Sequence, residues 1–183
     1  MDLRMVKTRA RIKEAFLTLR QKLMPEKIKV KDICEIAMIN KTTFYNHYVD
    51  SAQLSDELED AALERVILEF GEQDKIFEDL NAYIVAVFDS LERQASTLRL
   101  VFRGRQDTLC AKLEARLYST YEQYAHDLDG SVRLSFAVGG FARVVRDYLF
   151  SPDKCDPVML AEKTTSLLSD LLHRPNPIKG GAV

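Results

Sequence analysis

The chain has 183 residues, of which 46% are apolar and 30% are charged, and this composition is typical of a folded globular protein rather than a disordered one. Its longest apolar stretch, residues 135–142, is much shorter than the roughly 20 residues that a membrane-spanning helix needs. We therefore expect no association with a membrane.

The cysteines indicate a reducing compartment and no metal centre. Cys34, Cys110 and Cys155 are odd in number and far apart, so they form neither a disulfide framework nor a metal-binding spacing. The N-terminal segment is charged and lacks the apolar core of a signal peptide. The sequence contains no nucleophile–base pair and no phosphate-binding glycine loop. It thus predicts a cytoplasmic protein that is not an enzyme and has no cofactor.

Charge is distributed unevenly along the chain, although the formal net charge is only −2. Residues 1–50 hold eleven Lys and Arg against six Asp and Glu, whereas the remainder holds fifteen basic and twenty-two acidic residues. A basic segment joined to an acidic body is typical of a protein that brings one element to a polyanion. Chance clustering of charges on solvated faces is the alternative that charge alone leaves open.

Hydrophobic periodicity predicts helices along the whole chain and no strand. The expected helices cover about residues 2–23, 30–37, 41–47, 50–70, 76–94, 96–102, 106–127, 131–150 and 157–173. Asp50 followed by Gln53 is a capping-box arrangement at the start of one helix. Asp156 and Pro157 mark the start of the last helix, and Pro175 follows its end.

The helices at 30–37 and 41–47 are separated by only three residues, which is the arrangement of a helix-turn-helix held on a longer first helix. Asn40 can cap the second helix by accepting a hydrogen bond from the backbone N–H of Thr42 or Thr43. Phe44 is expected to face the core, which leaves the neighbouring polar residues outside. A short, cleanly capped polar helix of this kind suits the reading of DNA.

Four short motifs follow one another within the first fifty residues. They are Arg11-Ile12-x-x-Ala15-Phe16, Ile33-Cys34, Ala37-Met38-Ile39-Asn40 and Thr43-Phe44-Tyr45-Asn46-His47-Tyr48. Together they resemble the DNA-binding signature of the tetracycline-repressor (TetR/AcrR) family of transcription regulators. The resemblance implies an all-α fold of about nine helices. It further implies a helix-turn-helix domain in residues 1–49, a helical effector-binding and dimerisation domain in 50–175, and a flexible tail at 176–183.

Two residues depart from the family pattern. Met38 stands where the family has a turn glycine, and a methionine with positive φ there would cost roughly 1 kcal/mol. Ser51 stands where the family has a lysine that supports a phosphate contact. One contact that does not depend on base sequence is therefore expected to be missing.

The resemblance assigns seven residues to DNA binding: Lys31, Lys41, Thr42, Thr43, Tyr45, Asn46 and His47. Thr43, Tyr45 and His47 would anchor phosphates, whereas Lys41, Thr42 and Asn46 would reach base edges. Further phosphate contacts at the periphery are expected from Arg4, Lys7, Lys27 and Lys29. A core position for the tyrosine, and a capping or core position for the histidine, are the structural alternatives.

The last two predicted helices are strongly apolar and correspond to the dimerisation helices of the family. A pair of glycines in the first of them would let helix axes approach closely, at a cost of ~1 kcal/mol each. The expected dimer interface contains Gly139, Gly140, Leu160, Leu167 and Leu171. The alternative is a monomer core that tolerates the glycine pair.

An effector pocket is expected among the fifth to eighth helices. Its candidate lining residues are Tyr83, Phe102, Tyr118, Tyr121 and Arg143, although aromatic residues at helical spacing also suit an ordinary core. The leading hypothesis is a homodimeric repressor that a small-molecule effector releases from a pseudo-palindromic site on double-stranded DNA. The alternative is a helix-turn-helix regulator whose C-terminal body binds a protein partner instead.

Overall fold

The computed structural model describes residues 3–69, 75–151 and 155–173. Within these ranges the chain forms nine α-helices and two 3₁₀ turns with no strand, which confirms the all-α prediction. The helices are α1 (Leu3–Arg20), α2 (Val30–Ala37), α3 (Lys41–Tyr45), α4 (Ser51–Glu69), α5 (Lys75–Glu78), α6 (Leu80–Val101), α7 (Gln106–Tyr121), α8 (Leu128–Phe150) and α9 (Pro157–His173). The predicted tail at 176–183 lies outside the described residues. None of the described helices combines the length and the hydropathy that a membrane span requires.

Aspartate side chains cap the starts of several of the longer helices. Asp50 Oδ1 accepts a hydrogen bond from the Gln53 N–H at 2.8 Å, so the predicted Asp50 cap is present. Gln53 Oε1 accepts from the Val49 N–H at 2.7 Å, one residue before the N–H that a capping box would use. Asp127 Oδ1 likewise accepts from the Gly130 N–H at 2.7 Å. This cap starts α8 three residues earlier than the predicted residue 131.

The break predicted near residue 95 is wrong, because α6 runs through it without interruption. Leu91, Ala95 and Leu98 are all buried, so the apolar stripe continues at helical spacing across that position. The helix starts at Leu80 and is capped by Asp79, whose Oδ1 accepts a hydrogen bond from the Ala82 N–H at 2.9 Å. The cap residue also separates α6 from the short α5.

The chain divides into two compact units. The first contains Met1–Glu64 and Ser96–Gly104, and the second contains Arg65–Ala95 and Arg105–Val183. The largest buried apolar side chains of the first unit are Ile12, Phe16, Ile33, Phe44, Tyr48, Leu54, Leu63, Leu98 and Phe102. In the second unit Phe88, Leu109, Val145 and Leu149 are buried. The functional boundary predicted at residues 49 and 50 stays a prediction.

A fully buried arginine joins two helix ends within the first unit. Arg20 Nη1 donates to the carbonyl oxygen of Leu23 at 2.9 Å. Its Nη2 lies 3.1, 3.0 and 2.8 Å from the carbonyl oxygens of Leu100, Val101 and Arg103. Carbonyls at a helix C-terminus lack intrahelical partners and carry partial negative charge, so a cation there stabilises them. The guanidinium therefore ties the end of α1 to the end of α6.

Candidate nucleic-acid interface

The helix α3 is short because its two ends are set by local hydrogen bonds. Asn40 Oδ1 accepts from the Thr43 N–H at 2.7 Å, as predicted, and starts the helix. Phe44 is fully buried and fixes α3 on the core of the first unit. The helix ends at Tyr45, two residues before the predicted end at His47.

Most of the residues that the sequence assigned to DNA lie on the surface around α3. The exposed ones are Lys31, Lys41, Thr42, Tyr45 and Asn46, whereas Thr43 and His47 are half-buried. The Tyr45 side chain is 55% exposed and meets the Phe44 ring edge-on, with 5.6 Å between ring centroids. This exposure does not fit a core position for the tyrosine. Its ring is held by packing while its hydroxyl remains available to a partner.

The turn before α3 places a methionine in the left-handed region of the backbone. Met38 has φ 51° and ψ 49°, and among the described residues it is the one residue other than glycine with positive φ. Its side chain is also 83% exposed. The turn therefore has the geometry that favours glycine, with the strain of roughly 1 kcal/mol that a side chain adds.

A groove of about 630 Å³ lies between α1 and this turn. Three of the residues that line the groove are cationic: Arg4, Lys7 and Arg11. The apolar lining residues are Leu3, Met38 and Ile39, and the uncharged polar ones are Thr8, Asn40 and Thr43. Arg11 Nη2 lies 3.5 Å from the Met38 carbonyl oxygen, which brings α1 close to the turn. Sequence reasoning gave Arg4 and Lys7 a peripheral role and missed Arg11. The recurrence of basic residues at positions 4, 7 and 11 was the available signal.

An ion-pair cluster holds α1 against α4 near α3. The Glu57 carboxylate accepts from Arg9 and from Lys13, each at 2.6 Å. Arg9 Nε also donates to the Tyr48 hydroxyl at 3.1 Å, directly after α3. Burial by itself would raise the pKa of Glu57, but the hydrogen bonds from the two cations outweigh it and the pKa lies below its ordinary value. The carboxylate thus remains charged and keeps α1 and α4 together.

The candidate effector residues fall in different parts of the chain. Tyr83 and Tyr121 are brought together in the second unit, with their hydroxyl oxygens 3.0 Å apart. Burial raises the pKa of Tyr83, and the hydrogen bond to Tyr121 offsets this in part. Tyr118 and Arg143 are exposed residues of the same unit, whereas Phe102 is fully buried in the first. Whether these residues bind an effector stays a prediction.

Among the candidate dimer residues, Gly140 continues an exposed apolar stripe of α8 at the same spacing of four residues. Leu128, Val132 and Phe136 follow one another at intervals of four residues and are all exposed, Phe136 to 71%. Apart from its chain neighbours and the backbone of its own helix, a Cβ atom added at Gly139 or Gly140 would meet no atom of the described residues within 4 Å. Contacts inside the described chain therefore do not explain these glycines. On α9, Leu167 is exposed, while Leu160 and Leu171 are half-buried.

No group of three His, Cys, Asp or Glu side chains among the described residues is arranged to hold a metal ion. Ser51 occupies the first position of α4, close to α3 in the chain, and is half-buried. A serine at this position offers no cation to a phosphate, in line with the departure seen in the sequence.

Comparison with protein families and with curated proteins finds no match by sequence. Solved structures do match. A TetR transcriptional regulator from Streptococcus agalactiae 2603V aligns with a TM-score of 0.63 and 20% identity, covering 90% of this chain and 95% of that chain. The dihydroxyacetone kinase operon activator DhaS aligns with a TM-score of 0.57 and 18% identity, covering 90% of this chain and 96% of that chain. The chain therefore has the all-helical fold of TetR-type transcription regulators.

Proposed function

We propose that the protein is a DNA-binding transcription regulator that inserts α3 into the major groove. One observation carries the proposal: a capped five-residue helix exposes Lys41, Thr42 and Tyr45 next to a groove with three cationic side chains. Exposed donors beside clustered cations complement base edges and phosphates respectively. The structural neighbours, which are named as transcription regulators, support the same function.

We further propose that the protein acts in the cytoplasm as a homodimeric repressor, which a small-molecule effector releases from its operator. The exposed stripe of Leu128, Val132 and Phe136 supports dimerisation, because a soluble protein rarely leaves such a row of apolar side chains uncovered. The paired hydroxyls of Tyr83 and Tyr121 among aromatic side chains support an effector with polar groups.

Selection of binding sites from random DNA tests this function. A two-fold symmetric dimer should enrich inverted half-sites whose centres lie about one helical turn, ~34–36 Å, apart or slightly more. Enrichment of single, unrepeated half-sites would contradict the symmetric dimer on DNA. Failure to enrich any sequence, together with no binding to duplex DNA at low salt, would contradict the function itself.

Substitutions in α3 should separate anchoring from reading. Tyr45→Phe removes one hydroxyl and keeps the ring, so affinity should fall by about tenfold on every duplex, because phosphates carry no base identity. Lys41→Ala should lose about 1–3 kcal/mol on the selected site and much less on sites altered at one position per half-site. Both variants should be titrated on matched and altered sites at two salt concentrations.

The following outcomes would contradict the roles assigned to Lys41 and Tyr45. A uniform loss for Lys41→Ala, with a salt slope lower by about one unit, would make Lys41 a phosphate contact. A loss for Tyr45→Phe that depends on the DNA sequence, or no loss at all, would contradict its anchoring role.

A further inference from the structure

Met38 has two properties that are unfavourable in the free protein. Its backbone has φ 51°, where a Cβ atom is strained, and its apolar side chain is 83% exposed to water. Glycine at this position would avoid both costs. Strained conformations of this kind concentrate at functional sites, where another interaction compensates for them. A contact between the exposed thioether and a bound ligand would compensate for both costs.

The groove beside Met38 has a mixed lining that matches one particular polymer. Lys7 and Arg11 bring positive charge from α1, whereas Leu3, Ile39 and Met38 bring apolar surface. A nucleic-acid strand alternates anionic phosphates with the largely apolar faces of its sugars. The volume of about 630 Å³ is large enough for a short piece of such a strand.

We propose that this groove seats the sugar–phosphate backbone of one DNA strand, with the Met38 side chain packed on a deoxyribose. The inference rests on the proposed function and adds a positioning contact at the turn. Lys7 and Arg11 hold the flanking phosphates, and Met38 fills the space between them. The contact carries no base identity, so it strengthens binding to any duplex.

Three variants at this position separate strain from contact. Met38→Gly removes both, Met38→Ala removes the contact and keeps the strained backbone, and Met38→Leu keeps an apolar side chain with the strain. We expect Met38→Gly to raise the Tm by roughly 2–4 °C, as relief of the strain would in a chain of this size. Met38→Gly and Met38→Ala should each weaken binding to a random-sequence 30-base-pair duplex by about fivefold, whereas Met38→Leu should stay within about twofold.

The way in which DNA binding depends on salt and on base composition identifies the DNA atoms that Met38 contacts. Because Met38 is uncharged, Met38→Gly should leave the salt slope unchanged, whereas Lys7→Ala should lower it by about one unit. The loss should also be equal on an A·T-only and on a G·C-only duplex of the same length. Leu68→Ala, which removes another strongly exposed apolar side chain, from α4, serves as the matched control and should leave binding unchanged.

Each departure from this pattern overturns the inference. Unchanged binding of Met38→Gly and Met38→Ala would show that the side chain makes no contact with DNA. If Met38→Gly weakened binding only on the A·T duplex, Met38 would contact thymine methyl groups and not the sugar. If Met38→Gly lowered the salt slope, Met38 would act by positioning Lys7 and Arg11 and not by its own contact. Wild-type protein that binds none of these duplexes at low salt would contradict the proposed function as well.

Discussion

Replacing Arg20 with methionine is expected to lower the free energy of unfolding by about 3–5 kcal/mol, since it removes the donor of one buried and three part-buried hydrogen bonds to carbonyl oxygens. The guanidinium contacts four carbonyl oxygens at 2.8–3.1 Å, three of them from residues 100, 101 and 103. Methionine keeps the aliphatic part of the side chain and removes the guanidinium, so the loss includes both the hydrogen bonds and the space that this group fills. Chemical denaturation followed by circular dichroism measures it.

Arg103 provides a matched control for this substitution. Its exposed side chain donates from Nη1 to the Gln21 carbonyl oxygen at 2.9 Å, so it also spans α1 and the residues after α6. Arg103→Met should cost less than about 1 kcal/mol, because water can replace a donor at the surface. Equal losses for Arg20→Met and Arg103→Met would contradict the central role that we assign to Arg20.

Gly140→Leu is expected to prevent assembly while leaving the protomer folded. Outside the backbone of its own helix, no atom of the described residues lies within 4 Å of a Cβ placed at Gly140, so a side chain there starts into open space in the protomer. In a dimer that packs α8 closely against its symmetry mate, the same side chain would separate the helices. We expect the dimer dissociation constant to rise by about 100-fold or more, as overpacking of 1–3 kcal/mol occurs at both symmetry-related positions.

Sedimentation of the wild type and the variant at micromolar concentration measures this effect, and circular dichroism checks the fold. Ala115→Leu introduces the same side chain at an exposed small residue of α7 and should leave the oligomeric state unchanged. Gly140→Ala is a second test of the close helix packing. Alanine should stabilise the isolated helix by about 1 kcal/mol but weaken a dimer in which the two helices pack closely. A monomeric wild type would refute the dimer, whose interface should bury more than ~1,200 Å² in total.

The helix-turn-helix could be predicted well because its determinants are local. The bounds of α2 agree with the prediction at both ends, and Asn40 caps α3 through an N–H three residues away. The positive φ of Met38 follows from its position between two closely spaced helices. Hydrogen bonds over three or four residues, and the burial of Phe44 by one apolar face, require little knowledge of the rest of the chain.

Prediction failed where distant packing overrides a local signal. Ser96 looked like the start of a helix, yet Leu91, Ala95 and Leu98 are buried along one face and carry α6 through that point. For α8 the apolar pattern alone did not show which residues the protomer covers: Ala137 and Val138 are buried, whereas Phe136 is exposed. Periodicity shows which residues of a helix are apolar, and the tertiary contacts show which of them are covered.

The sequence by itself determined the all-helical class, the position of α3 and the chemistry of the side chains around it, because these depend on neighbours within about one helical turn. Only the tertiary structure decided the burial of Arg20 and the groove beside Met38. The carbonyl partners of Arg20 at and just after the end of α6 lie 80 to 83 residues further along the chain. The groove joins α1 to a turn that begins some twenty-seven residues after Arg11. Contacts over such separations leave no periodic signal, since they depend on how the folded helices pack rather than on the spacing of residues within any one of them.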